Sequence, residues 1–180
     1  MNNKEVKSMV RGLAKAVIEE LKSNDAEMNK LKENRGIYSE NYFSQLQNEI
    51  RVKREDIVNN TRNKTADALD EYRDSIEKAY KLNGEDITPD AKLFNTGLKL
   101  TTEQLNDLSE RYADNMTMSQ LIENYAKENE ISYQTRTKSK ADALQLADAL
   151  DNYMESVTDR PEYADIWTSD EYFEEAFSEE

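Results

Sequence analysis

Cysteine and histidine do not occur in this 180-residue chain, proline occurs twice and glycine four times. The first two absences exclude disulfides, zinc ribbons and thiol chemistry, and remove the commonest transition-metal ligands. An enzyme built from these residue types would rest on Asp, Glu, Ser, Tyr or Lys. No nucleophile elbow, phosphate-binding glycine loop or HExxH motif is present to put them to use. No apolar run approaches the roughly 18 residues of a membrane span. The start, Met1-Asn2-Asn3-Lys4-Glu5, leads into a charged amphipathic pattern and not a signal-peptide core. The expectation is a soluble cytoplasmic protein that is not an enzyme, uses no cofactor and meets no membrane.

What is abundant is charge. Charged residues make up 34% against 37% hydrophobic, and the mean hydropathy is -0.98. A large dry core does not follow from such a composition. Ten tyrosines and regular apolar spacing nevertheless argue for a folded chain. The net charge of -14 is uneven: residues 1–83 carry 16 basic against 15 acidic side chains, residues 84–157 carry 7 against 14, and residues 158–180 carry 1 against 9. Such a C-terminus repels nucleic acid and attracts basic protein surfaces.

The apolar spacing is helical. Val6, Met9, Val10, Leu13, Val17, Leu21, Met28 and Leu31 predict a helix over residues 3–34, stopped by Gly36 in a left-handed conformation. Ser39 opens a second stretch that runs without Gly or Pro to Leu82 before Asn83-Gly84. Its seam of Phe43, Leu46, Ile50, Ile57, Ala68, Tyr72, Ile76 and Ala79 is narrow, and between Arg51 and Thr65 it nearly vanishes, which predicts bending, fraying or variable oligomeric pairing there. The short connection Arg35-Gly36-Ile37-Tyr38 makes the two helices an antiparallel hairpin. A stripe that narrow buries more against a second molecule, so Leu13, Val17, Leu21, Phe43, Leu46, Ile50, Tyr72 and Ile76 are candidates for self-association, a dimer first.

Shorter helices follow. Thr88-Pro89-Asp90 reads as a helix start closed by Gly97, Thr101 with Gln104 as a capping box, and Thr117 as a further cap. Residues 131–137 read as a polar connector before a last amphipathic helix of Ala143, Leu144, Ala147, Leu150, Tyr153, Met154 and Val157. Beyond Arg160-Pro161, aromatics alternate with acids. Tyr163, Ile166, Trp167, Tyr172, Phe173 and Phe177 are candidate anchors for a partner with a basic rim. The alternative is that Trp167 and Phe173 fold back onto the short helices. The fold class is all-α, with a hairpin over 1–83, a small bundle over 84–157 and an acidic tail over 158–180.

Other constellations are weaker. Asp67, Asp70, Glu71 and Asp74 have helical spacing that suits a hard cation, but interspersed Lys64, Arg73 and Lys78 favour a solvated face with ion pairs. Residues 102–127 mimic a helix-turn-helix in outline, yet SQLIENYAKEN offers one Lys against two Glu, which is poor equipment for phosphates. Arg51 to Arg54 and the pair Lys138 and Lys140 are the remaining basic clusters.

The segment DAKLFNTGLKLTTEQLNDLSERYADNMTMSQLIENYAKENEI, residues 90–131, resembles a segment of small helical head-morphogenesis, scaffold-like proteins of tailed phages and prophages of Gram-positive bacteria. The features shared are a leucine-containing short helix from Leu93 to Leu98, the cap at Thr101 and the turn from Asn115 to Met118, after a long charged helix like SENYFSQLQNEIRVKREDIVNNTRNKTADALDEYRDSI. The resemblance implies a non-enzymatic assembly role in the host cytoplasm or in the virion, with a capsid or portal protein as partner and no direct contact to nucleic acid. The acidic C-terminus departs from the basic helices that many scaffolding proteins present to the coat. A second reading, from the charge alone, is an acidic inhibitor that mimics DNA toward a nucleic-acid-binding protein.

Overall fold

The computed structural model describes residues 1–137 and 139–177, and among them every regular element is helical. The α-helices are α1 (Asn3–Glu33), α2 (Glu40–Ala79), α3 (Thr102–Arg111), α4 (Met116–Glu128), α5 (Lys140–Asp159), α6 (Ala164–Trp167) and α7 (Asp170–Ala176). Short 3-10 segments lie at Arg35–Ile37, Gly84–Asp86, Pro89–Asn95 and Pro161–Tyr163. The chain is all-α, as the sequence reads. Contacts divide it into two units, residues 1–72 with the described residues from Leu146 onward, and Arg73–Gln145. The sequence led instead to boundaries at 83/84 and 157/158. Caps and breakers mark where helices end, whereas these units change partners inside α2 and α5.

In the first unit, Asn2 caps α1: its Oδ1 accepts from Glu5 N (2.9 Å) while Asn2 N donates to Glu5 Oε2 (2.8 Å). At 31 residues α1 is roughly 46 Å long. Asn34, not Gly36, ends it. Asn34 Nδ2 donates to Lys30 O (2.7 Å), and the chain leaves through a 3-10 turn, with no positive φ at Gly36. The buried positions Val10, Ala14, Val17, Leu21 and Asn24 alternate spacings of four and three, and Leu31 follows one heptad later, which makes a heptad seam. Asn24 is the polar member, and its Nδ2 donates to Ile50 O of α2 (3.0 Å). Further pairs, Lys53 to Glu27 (2.7 Å), Arg54 to Asp25 (2.6 Å) and Tyr72 Oη to Asn3 Oδ1 (2.7 Å), set α1 and α2 antiparallel.

Helix α2 is continuous through residues 51–65, where the sequence predicts bending, fraying or variable oligomeric pairing; of the three, continuity speaks against fraying. Its inward positions recur as 46-50-54, 57-61-65 and 68-72, a period of 11 residues in three turns. That period, 3.67 per turn, lies close to the helix's own 3.6, so the stripe stays on one side. Thr61 and Thr65 fill it where apolar residues are missing, and each hydroxyl donates within the helix, Thr61 Oγ1 to Ile57 O (2.9 Å) and Thr65 Oγ1 to Thr61 O (3.0 Å). With no polar hydrogen left over, the two threonines pack as small apolar groups.

The third side of this unit is α5. Arg62 of α2 donates to Thr158 Oγ1 (3.1 Å) and Asp159 Oδ1 (2.6 Å), and Ala147, Leu150, Tyr153, Met154 and Val157 are buried. Much of the self-association seam is consequently covered inside the chain. Val17, Leu21, Ile50 and Tyr72 are buried here, and Leu13, Phe43 and Leu46 are half-buried; Ile76 is buried among the residues of the second unit. Folding gains about 1.5–3 kcal/mol for each large aliphatic side chain so covered, and α5 provides cover that a second molecule was expected to supply.

The second unit is built on α3 and α4. Thr101 and Gln104 form the expected capping box. For α4, Asn115 takes the capping place expected of Thr117: its Oδ1 accepts from Met118 N (2.9 Å) and its Nδ2 donates to Asp86 O (2.8 Å). Leu100, Leu105, Leu108, Ile122, Tyr125 and Ala126 form the core, flanked by Phe94, Tyr112, Ile131 and Tyr133. Gly97 does adopt the left-handed conformation, φ 73°, at the end of the Pro89–Asn95 segment. The segment 131–137 is pinned to α3 by Gln134 N to Asn106 Oδ1 (2.7 Å) and Arg136 N to Ser109 Oγ (2.9 Å).

Candidate functional site

The acidic C-terminal segment meets a basic stripe. Lys7, Arg11, Lys15 and Lys22 follow one another along α1 at intervals of four, four and seven, all near one face. Lys7 Nζ donates to Phe177 O (2.7 Å), Arg11 pairs with Asp170 and approaches Glu174 (3.8 Å), Lys15 lies 3.8 Å from Asp170 and Lys22 3.7 Å from Asp165. Ser169 Oγ accepts from Tyr172 N (3.1 Å) and so starts α7 at the right place.

Aromatic packing seals this contact. Phe173 is buried, edge-on to Tyr153 of α5 (ring centroids 5.4 Å) and 4.7 Å from Phe177, while the Arg11 guanidinium lies 5.1 Å from the Phe173 ring. Tyr153 Oη donates to Trp167 O (2.8 Å), Trp167 Nε1 donates to Arg160 O (3.2 Å), and Trp167 and Tyr172 meet edge to face at 5.3 Å. Burial holds the Tyr153 hydroxyl neutral and pushes its pKa up to about 12, with Arg11 opposing the shift and Tyr172 adding to it. Of the six anchors read from the sequence, Trp167, Tyr172, Phe173 and Phe177 therefore have partners within the chain; Tyr163 and Ile166 stay about half exposed. Residues 178–180 lie outside the described residues.

A different surface is left open at the hairpin turn. Glu27, Lys30, Leu31 and Asn34 of α1 and its end, Tyr38 of the turn, and Leu46, Glu49, Ile50 and Lys53 of α2 line a groove of about 490 Å³. Beside it Ile37 is 75% exposed and Tyr42 50%, so large apolar side chains stand in water at this end. Tyr38 and Tyr42 meet in a tilted arrangement with ring centroids 5.8 Å apart, and Arg35 both pairs with Glu40 and covers the Phe43 ring at 4.1 Å. These contacts hold the turn's aromatics in place before anything binds. From the sequence, Phe43, Leu46 and Ile50 belonged to a continuous seam; Tyr38, Lys30 and Glu49 were missed, because a groove depends on how two helices diverge and not on either pattern.

The remaining candidates do not assemble a site. Among the described residues no group of three or more Asp or Glu is placed to hold a metal ion. Of the basic clusters, Lys53 and Arg54 are paired with Glu27 and Asp25, Lys140 pairs with Glu77 (2.6 Å), and Lys138 lies outside the described residues. Helix α4 turns Met118, Ile122, Tyr125 and Ala126 inward. Among the described residues no helix is long and apolar enough to cross a membrane. Comparison with known proteins adds no relative: no family model, no curated protein and no solved structure matches this chain.

Proposed function

We propose that this chain is a non-catalytic protein that acts through protein–protein contacts, in a scaffold-like assembly role of the kind its resemblance to phage head-morphogenesis proteins suggests. The observation that carries the reading is the open groove at the hairpin turn, flanked by exposed Ile37 and Tyr42. An exposed aromatic and an exposed aliphatic side chain beside an apolar-floored groove are the raw material of an interface hot spot. The residue alphabet, without His or Cys, adds support from the chemical side.

The inhibitor reading needs carboxylates presented outward like phosphates. Asp165 and Asp170 are exposed but lie beside Lys22, Lys15 and Arg11, whose positive charge offsets theirs, which leaves it the weaker of the two. Co-expression with the coat and portal proteins of a tailed phage encoding this chain tests the assembly reading. Co-elution with either one, lost in Ile37→Asp and Tyr42→Asp, is the expected result; elution apart from both contradicts it.

A further inference from the structure

The groove at the hairpin turn has an internal symmetry of charge. Its four ionic side chains are two lysines, Lys30 and Lys53, and two glutamates, Glu27 and Glu49. Lys53 and Glu27 pair with each other across it (2.7 Å). Lys30 on the α1 wall and Glu49 on the α2 wall are both exposed, and among the described residues neither makes an ion pair; Glu49 only accepts from Gln45 Nε2 (2.9 Å). One unspent cation and one unspent anion thus face the same opening from opposite walls.

From this arrangement we propose that the groove is an isologous dimer interface occupied by the hairpin turn of a second copy of this chain, in which Lys30 of each copy pairs with Glu49 of the other. Two-fold symmetry makes every contact occur twice with roles exchanged, so a self-matching face must carry both signs. This one does. The wider charge distribution points the same way: residues 1–72 hold 13 basic and 13 acidic side chains, whereas residues 146–180 hold 1 against 12. Two copies meeting through their C-terminal segments repel, and two meeting through their turns do not. Leu31, Leu46 and Ile50 supply the apolar floor, and Tyr38 the aromatic anchor. The proposal rests on the protein-contact reading above and gives it a definite partner and place. It also confines self-association to the turn end of the seam, where Leu46 and Ile50 line the groove.

The test is a charge reversal read by light scattering on the full-length protein across a wide concentration range. Wild type is expected to reach twice the 20.9 kDa chain mass. Lys30→Glu and Glu49→Lys each weaken the dimer by about tenfold or more, since each places like charges opposite one another twice. An equimolar mixture of the two variants regains the dimer, because both cross-pairs are then opposite in sign, and so does the chain carrying both changes. Both positions are exposed, and unchanged circular dichroism verifies that the variants fold. A wild type that stays monomeric, variants that dimerise like wild type, or a mixture that remains monomeric overturns the proposal. Co-elution of these same variants with coat or portal separates the two claims: a monomer that still binds a head protein sinks the dimer and leaves the assembly reading standing.

Discussion

At Phe173, burial and charge act on the same contact with very different weights. The ring is buried against Tyr153 and Phe177, while Asp170, which pairs with Arg11, has a side chain 83% exposed. Removing a buried Phe costs about 3–5 kcal/mol; an exposed ion pair is worth about 0–1 kcal/mol. Phe173→Ala should therefore destabilise the first unit strongly and Asp170→Asn hardly at all, as urea denaturation of the two variants would show. Tyr153 adds a pH dependence. Its folded pKa is raised above the ordinary value of 10.0, so between pH 10 and about 12 the unfolded chain gives up this proton first. The stability it contributes is complete below pH 10 and is lost as pH rises toward 12. In Tyr153→Phe the Tm is expected to fall less steeply over that window than in wild type.

Among the elements, α2 departs most from what its residues announce. Its ends were legible: Ser39 lies immediately before Glu40, and the helix stops at Ala79, three residues short of Leu82. Its middle was not, because Thr61 and Thr65 count as polar in any hydrophobic pattern and become apolar only once their hydroxyls are satisfied within the helix. Leu69, fully buried, was likewise passed over beside Ala68. Leu69→Ala should cost about 2–5 kcal/mol. Thr65→Val keeps the shape and removes the hydroxyl, so its Tm should equal or exceed that of wild type; a marked drop would mean that the hydroxyl has a partner of consequence. The basic stripe of α1 was legible in principle, since its spacing is plain. Its partner lies about 150 residues further along the chain, and single-helix patterns carry no record of that pairing.

For the whole molecule, charge is sorted by partner. Residues 146–180 carry most of the excess acid, and among them Asp165, Asp170 and Glu174 lie beside a row of cations in α1, while residues 1–72 are balanced overall. Fold class and most helix bounds could be read from periodicity and caps. The division into units could not, nor could the fate of the seam, because a narrow apolar stripe is satisfied equally well by another molecule or by α5 of the same chain. The C-terminal segment is part of the fold, and the hairpin turn is the surface proposed to meet partners. Amide hydrogen exchange of the full-length protein at low and high concentration tests both halves together. Protection of residues 163–177 at every concentration, with protection of residues 34–43 that rises on concentrating the protein, is the result expected. Rapid exchange throughout 163–177, with no change in 34–43, would contradict the account.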